Sequence, residues 1–91
     1  MNDKFIMITL NPFNLNQLIT VHTPDVQYTL QHDMDNVFNA ALAVGEEQGI
    51  YDIKIATVSF PKQYSEELAH NARMTAITKY GENKFNIEVL A

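Results

Sequence analysis

Hydrophobic positions along this chain recur at two periods, and the switches between them lay out its elements. Residues 4–10 are apolar on both alternations, with Ile6, Ile8 and Leu10 on one side and Phe5, Met7 and Thr9 on the other. A strand covered on both faces has this pattern. Asn11-Pro12 ends it, because proline cannot donate to a ladder. Residues 13–22 fit two templates. Leu15, Leu18, Ile19 and His22 suit a short helix capped by Asn14, while Leu18, Thr20 and His22 alternating with Ile19 and Val21 suit a strand. The second half leans to a strand. Thr23-Pro24-Asp25 predicts a turn, and Val26, Tyr28 and Leu30 alternating with Gln27 and Thr29 predict a half-buried strand.

The period then changes to that of a helix. Met34, Val37, Phe38, Ala41 and Val44 form one stripe, which places a helix over about 34–48. Asp33 is its expected cap, and Asp35 is expected in its first turn at the positive dipole end. Gly49 closes it, and Gly45 is a weak point inside it. Residues 52–59 return to strand alternation until Phe60-Pro61. A second helix follows over about 65–80, with Ser65 as cap, Glu66 and Glu67 in the first turn and Lys79 in the last. Its stripe, Leu68, Ala69, Ala72, Ala76 and Tyr80, is small enough to lie close to a sheet, and Gly81 is read as a left-handed cap. In the last strand Phe85, Ile87 and Val89 point in, while Lys84, Asn86 and Glu88 point out.

These elements predict one compact α+β domain spanning 1–91. Its architecture is a two-layer α/β sandwich: a mixed sheet of four or five strands with two helices on one face. The one-sided final strand is what places both helices on the same side. Phe5 and Met7 then fall on the open sheet face beside Ala56 and Val58, unless Phe13 and its Asn-rich surroundings fold back over them.

Composition narrows the chemistry. An apolar share of 46% suits a folded core, and the absence of Cys rules out disulfides and thiolate metal ligation. The start of the chain has a short apolar run without a cleavage site, so no export signal is read and the cytoplasm is the expected location. Charge is unevenly spread. Residues 5–53 contain no Lys or Arg but six acids: Asp25, Asp33, Asp35, Glu46, Glu47 and Asp52. The formal net charge is −5. Six scattered basic residues do not make a phosphate-binding surface, so direct nucleic-acid binding and anionic membrane binding are not expected.

Few residues point to chemistry. His32-Asp33-x-Asp35 could form a metal site or an acid–base pair, but capping and the helix dipole already account for both acids. Glu66 and His70 stand one helical turn apart, a spacing found far more often in surface pairs than in metal ligation. No Gly-rich phosphate loop, nucleophile elbow or His-x-x-x-His is present. No catalytic set, cofactor or metal site is therefore expected.

The expected function is non-catalytic. It is that of a small acidic binding or inhibitor-type protein in contact with a basic surface on a partner protein. Glu46, Glu47 and Asp52 would supply attraction, and Phe5 and Met7 the apolar contact or a homodimer interface. Compact, Cys-free, acidic, Asn-rich domains of this kind include many phage-encoded accessory and inhibitor proteins, which is a fold-level association only. The alternative is a small-ligand binder, for a nucleotide or another anion, or a small enzyme. Its pocket would lie at a homo-oligomer interface and use His32, Asp33, His70 and Arg73, the single guanidinium being the natural anion anchor.

Overall fold

The structure, a computed structural model, describes residues 3–90. Five strands and two helices follow one another as β1 (Phe5–Leu10), β2 (Asn16–His22), β3 (Gln27–Asp33), α1 (Val37–Gln48), β4 (Asp52–Thr57), α2 (Lys62–Tyr80) and β5 (Asn86–Val89). The fold is α+β. Its one open, mixed sheet has the order β3-β2-β1-β4-β5. β1 pairs antiparallel with β2 and parallel with β4, so the central strand joins a hairpin half to a crossover half.

Alternation decides which side chains meet. Ile6 stands opposite Val21 on one neighbour and Ile53 on the other, and Ile8 stands opposite Ile19 and Ile55. These residues are buried together with Val37, Ala41 and Leu42 of α1 and Leu68, Ala69, Ala72 and Ala76 of α2. Both helices therefore cover the same sheet face. α1 lies over β1, β2 and β3, and α2 lies over β5. Phe5, Met7, Thr9, Leu18 and Ala56 point the other way and keep part of their surface in solvent. The segment 13–22 resolves as strand from Asn16 onward, with Ile19 and Val21 facing in.

Helix starts differ from the sequence reading. α1 begins at Val37, and Asn36, not Asp33, is its N-cap residue. The Asp33 carboxylate instead accepts the Asn36 N–H at 2.9 Å, while the Asp33 carbonyl accepts it at 3.2 Å. This is a β-turn over residues 33–36 reinforced by the side chain, which uses the same acceptor chemistry as a cap, three residues too early. Asp35 consequently lies in the turn, outside the first helical turn. The buried stripe of α1 is Val37, Ala41, Leu42 and Gly45, with Phe38 and Val44 at its margin.

α2 begins at Lys62, with extended Pro61 as N-cap residue, so Ser65 lies inside the helix and is not its cap. The Ser65 hydroxyl is buried and bonds the Thr57 hydroxyl at 3.0 Å, tying α2 to the end of β4. Glu66 and Glu67 fall beyond the first turn, whereas Lys79 does sit in the last. Gly81 has φ 98° and ψ 163°, a glycine-favoured conformation different from the expected left-handed helical one. Gly49, at φ 69° and ψ 32°, is the left-handed cap that was expected.

Gly45 is a site of close approach. A Cβ there would lie 2.5 Å from the Ile50 carbonyl oxygen and 2.9 Å from the Phe85 ring. Its lack of a side chain lets the end of α1 rest against the return into β4.

Candidate functional site

Two of the expected binding residues, Phe5 and Met7, sit side by side along β1 at the centre of the open sheet face. The Phe5 ring stacks on His22 of β2 with centroids 4.7 Å apart, and the Lys54 ammonium lies 4.5 Å above that ring. Met7 is flanked in register by Thr20 and Lys54. One step along, Thr9 lies between Leu18 and Ala56. The face thus carries an apolar strip through Phe5, Met7, Leu18 and Ala56, edged by hydroxyls and by Lys54. Phe13 does not cover it, since that residue is itself 81% exposed.

The acidic corner is divided by the fold. Glu46, near the end of α1, meets Lys84 at 2.7 Å, just before β5. Lys84 also stands 5.7 Å from the Tyr51 ring centroid and 5.9 Å from that of Tyr80. The hydrogen bond from Lys84 to Glu46 is the main reason that its ammonium titrates above the usual lysine value, against some desolvation. Glu47 is exposed beside it on the helix layer. Asp52 belongs to the sheet layer, where the Asn86 side-chain amide donates to it at 3.4 Å. Asp52, Phe5 and Met7 share the open face, whereas Glu46 and Glu47 do not.

The alternative ligand residues are not gathered within one chain. His32 and Asp33 end β3, at one edge of the sheet. Arg73 lies on α2 and donates from Nε to the Ile87 carbonyl of β5, the opposite edge, at 3.0 Å. His70 is exposed on the same helix. Among the described residues no three His, Asp or Glu converge as a group that could hold a metal. No helix among the described residues is long and apolar enough to cross a membrane.

Two features escaped the sequence reading. Leu18 belongs to the open face because Ile19 and Val21 turn inward, a choice hidden while 13–22 fitted both templates. The second feature lies at the carboxyl ends of β1, β4 and β5. There Leu15 is 93% exposed and Val58 and Leu90 are partly so. There too, Thr57, Phe60, Lys62, Ser65, Glu66, Val89 and Leu90 line a cleft of about 450 Å³. Asn11-Pro12 was legible as the end of β1, but the exposed apolar loop that follows, Phe13 to Leu15, was not. Comparison with protein-family models, curated proteins and solved structures finds no match for this chain.

Proposed function

We propose that this chain is a non-catalytic binding module that docks its open sheet face on a partner protein. The observation supporting this is the half-buried apolar strip Phe5, Met7, Leu18 and Ala56, which no helix or loop among the described residues covers. Contiguous apolar surface that keeps part of its area in solvent on a small domain marks contact sites more often than scattered single residues do. An inhibitor or accessory role of the phage type fits such a module.

The partner carries a basic rim. The chain has net charge −5, with no Lys or Arg from 5 to 53, so its field attracts cationic surface and speeds encounter. Glu47 and Asp52 contribute to that field at one end of the sheet, and Asp33 and Asp35 at the other. Glu46 adds less, because Lys84 balances it.

The experiment is affinity capture with the immobilised chain at low and high salt, comparing wild type with Met7→Lys. Capture that fades with salt and is lost in Met7→Lys supports the reading. Capture indifferent to Met7→Lys means that the open face is not the contact surface.

A second reading rests on the cleft at the carboxyl ends of β4 and β5. Its volume of about 450 Å³ lies in the range of small-ligand sites, and Lys62 at the start of α2 supplies a cation, set against the Glu66 carboxylate in the same lining. A nucleotide or another anion that raises the melting temperature of wild type but not of Lys62→Ala would favour it.

A further inference from the structure

We infer that two copies of this chain join through β3, edge to edge and antiparallel, into one continuous ten-stranded sheet. This inference is independent of the open-face reading. The two edges of the sheet are unequal. β5 is short, with four residues, and Arg73 Nε occupies the Ile87 carbonyl. The bonds from Asn86 N to Tyr51 O and from Leu90 N to Ile55 O show that residues 86, 88 and 90 face β4, which leaves the Ile87 carbonyl directed outward. A side chain therefore guards that edge.

β3 has no such guard. It is seven residues long and contains no Lys, Arg or Pro, the usual devices that blunt an edge. The hairpin closes with the Thr23 N–H on the Val26 carbonyl at 2.9 Å. Counting along the ladder from there, Tyr28, Leu30 and His32 bond to β2, while Gln27, Thr29, Gln31 and Asp33 direct their backbone groups away from the sheet. The Asp33 carbonyl is taken by the Asn36 N–H at 3.2 Å, which leaves the N–H and C=O groups of Gln27, Thr29 and Gln31 and the Asp33 N–H as a template for another strand.

The sequence of β3 is chemically symmetric about Leu30, which points to a second copy as the occupant. A two-fold axis at Leu30 sets Thr29 opposite Gln31 of the second copy, Gln27 opposite its Asp33 and Tyr28 opposite its His32. Hydroxyl meets amide, amide meets carboxylate, ring meets ring, and leucine meets leucine. The Gln27 side-chain oxygen is engaged with His22 Nδ1, so its NH₂ remains to donate to Asp33. Charge does not block self-pairing along the strand itself. No charged residue lies between Asp25 and Asp33, so two chains of net charge −5 can meet along this edge without opposed carboxylates. A closed two-fold pair of this kind leaves each β5 edge at the far end, still guarded by Arg73.

Sedimentation equilibrium of the full chain tests this. Wild type is expected at twice its 10.4 kDa mass. Thr29→Pro removes an outward-facing N–H and should give a monomer with unchanged circular dichroism. Thr29→Lys/Gln31→Lys should do the same, by setting Lys opposite Lys. Because the chain has no Cys, Leu30→Cys reads the register. A directly opposed, non-hydrogen-bonded pair has Cα atoms about 4.5 Å apart, within disulfide reach, so oxidation should cross-link Leu30→Cys and not Glu82→Cys. A monomeric wild type overturns the inference, and so does a dimer that persists in both the Thr29→Pro and the double-lysine variants. Met7→Lys should leave the dimer intact, so loss of the open-face contact and loss of this one are separable.

Discussion

Lys84 and Glu46 meet at 2.7 Å across 38 residues of sequence, joining the end of α1 to the start of β5. A glutamate at the negative end of a helix dipole is locally unfavourable. Its neutralisation by Lys84 accounts for that placement and removes much of the apparent acidic corner. The lysine is titrated upward in the fold by this contact, so the pair favours the folded state while Lys84 is charged. That contribution is complete below the ordinary lysine value of 10.5 and is lost as pH rises through the higher folded value. Urea melts of wild type and Glu46→Gln should therefore converge at strongly alkaline pH and differ slightly near neutrality. Curves that stay parallel through the alkaline range would exclude the pair as a stabilising element.

Gly45→Ala should destabilise the protein although it improves helix propensity. Alanine gains about 1 kcal/mol over glycine inside a helix. The added Cβ would press on the Ile50 carbonyl at 2.5 Å, which is backbone and cannot swing aside. Overpacking of this kind costs about 1–3 kcal/mol. The expected net loss is about 1 kcal/mol, read as a lower urea midpoint at unchanged slope. A raised midpoint would mean that α1 shifts freely on the sheet.

Gln17→Ala should cost about 2–3 kcal/mol, because it strands polar groups as well as opening a void. Gln17 is 1% exposed, accepts the Asn11 N–H at 2.6 Å and donates to the Asn14 carbonyl at 2.9 Å. It holds the turn that displays Phe13 and Leu15. Limited proteolysis should cut within residues 11–15 faster in the variant, and equal cutting rates would show that the turn holds without it.

Arg73→Ala should lose little stability as a monomer, since Arg73 is an exposed side chain making one backbone contact. It should instead expose the β5 edge. Species heavier than the wild-type assembly are the expected readout in light scattering. An unchanged mass distribution would show that the short β5 is protected without the arginine.

Local periodicity was enough to find every element in this chain but β2, whose segment fitted both templates, because a strand or a helix fixes its own alternation within a few residues. The buried stripe of α2 and the inward set Ile87 and Val89 follow from that alone. Boundaries did not follow as well. Asp33 and Ser65 carry capping chemistry, and that chemistry serves the β-turn 33–36 in one case and a bond to Thr57 in the other. Side-chain oxygens satisfy any nearby donor, so their presence does not fix where a helix begins.

The sequence by itself determined the α+β class, the two helices on one sheet face, and a basic-free half with Phe5 and Met7 facing away from the core. Tertiary structure alone decided the order β3-β2-β1-β4-β5, and with it which strands became edges. It also decided that Glu46 is balanced by Lys84 and that Arg73 guards Ile87. These pairings join residues distant in the chain, and no periodicity within a segment encodes its neighbour. They arise only when burial of the shared face brings separate segments together.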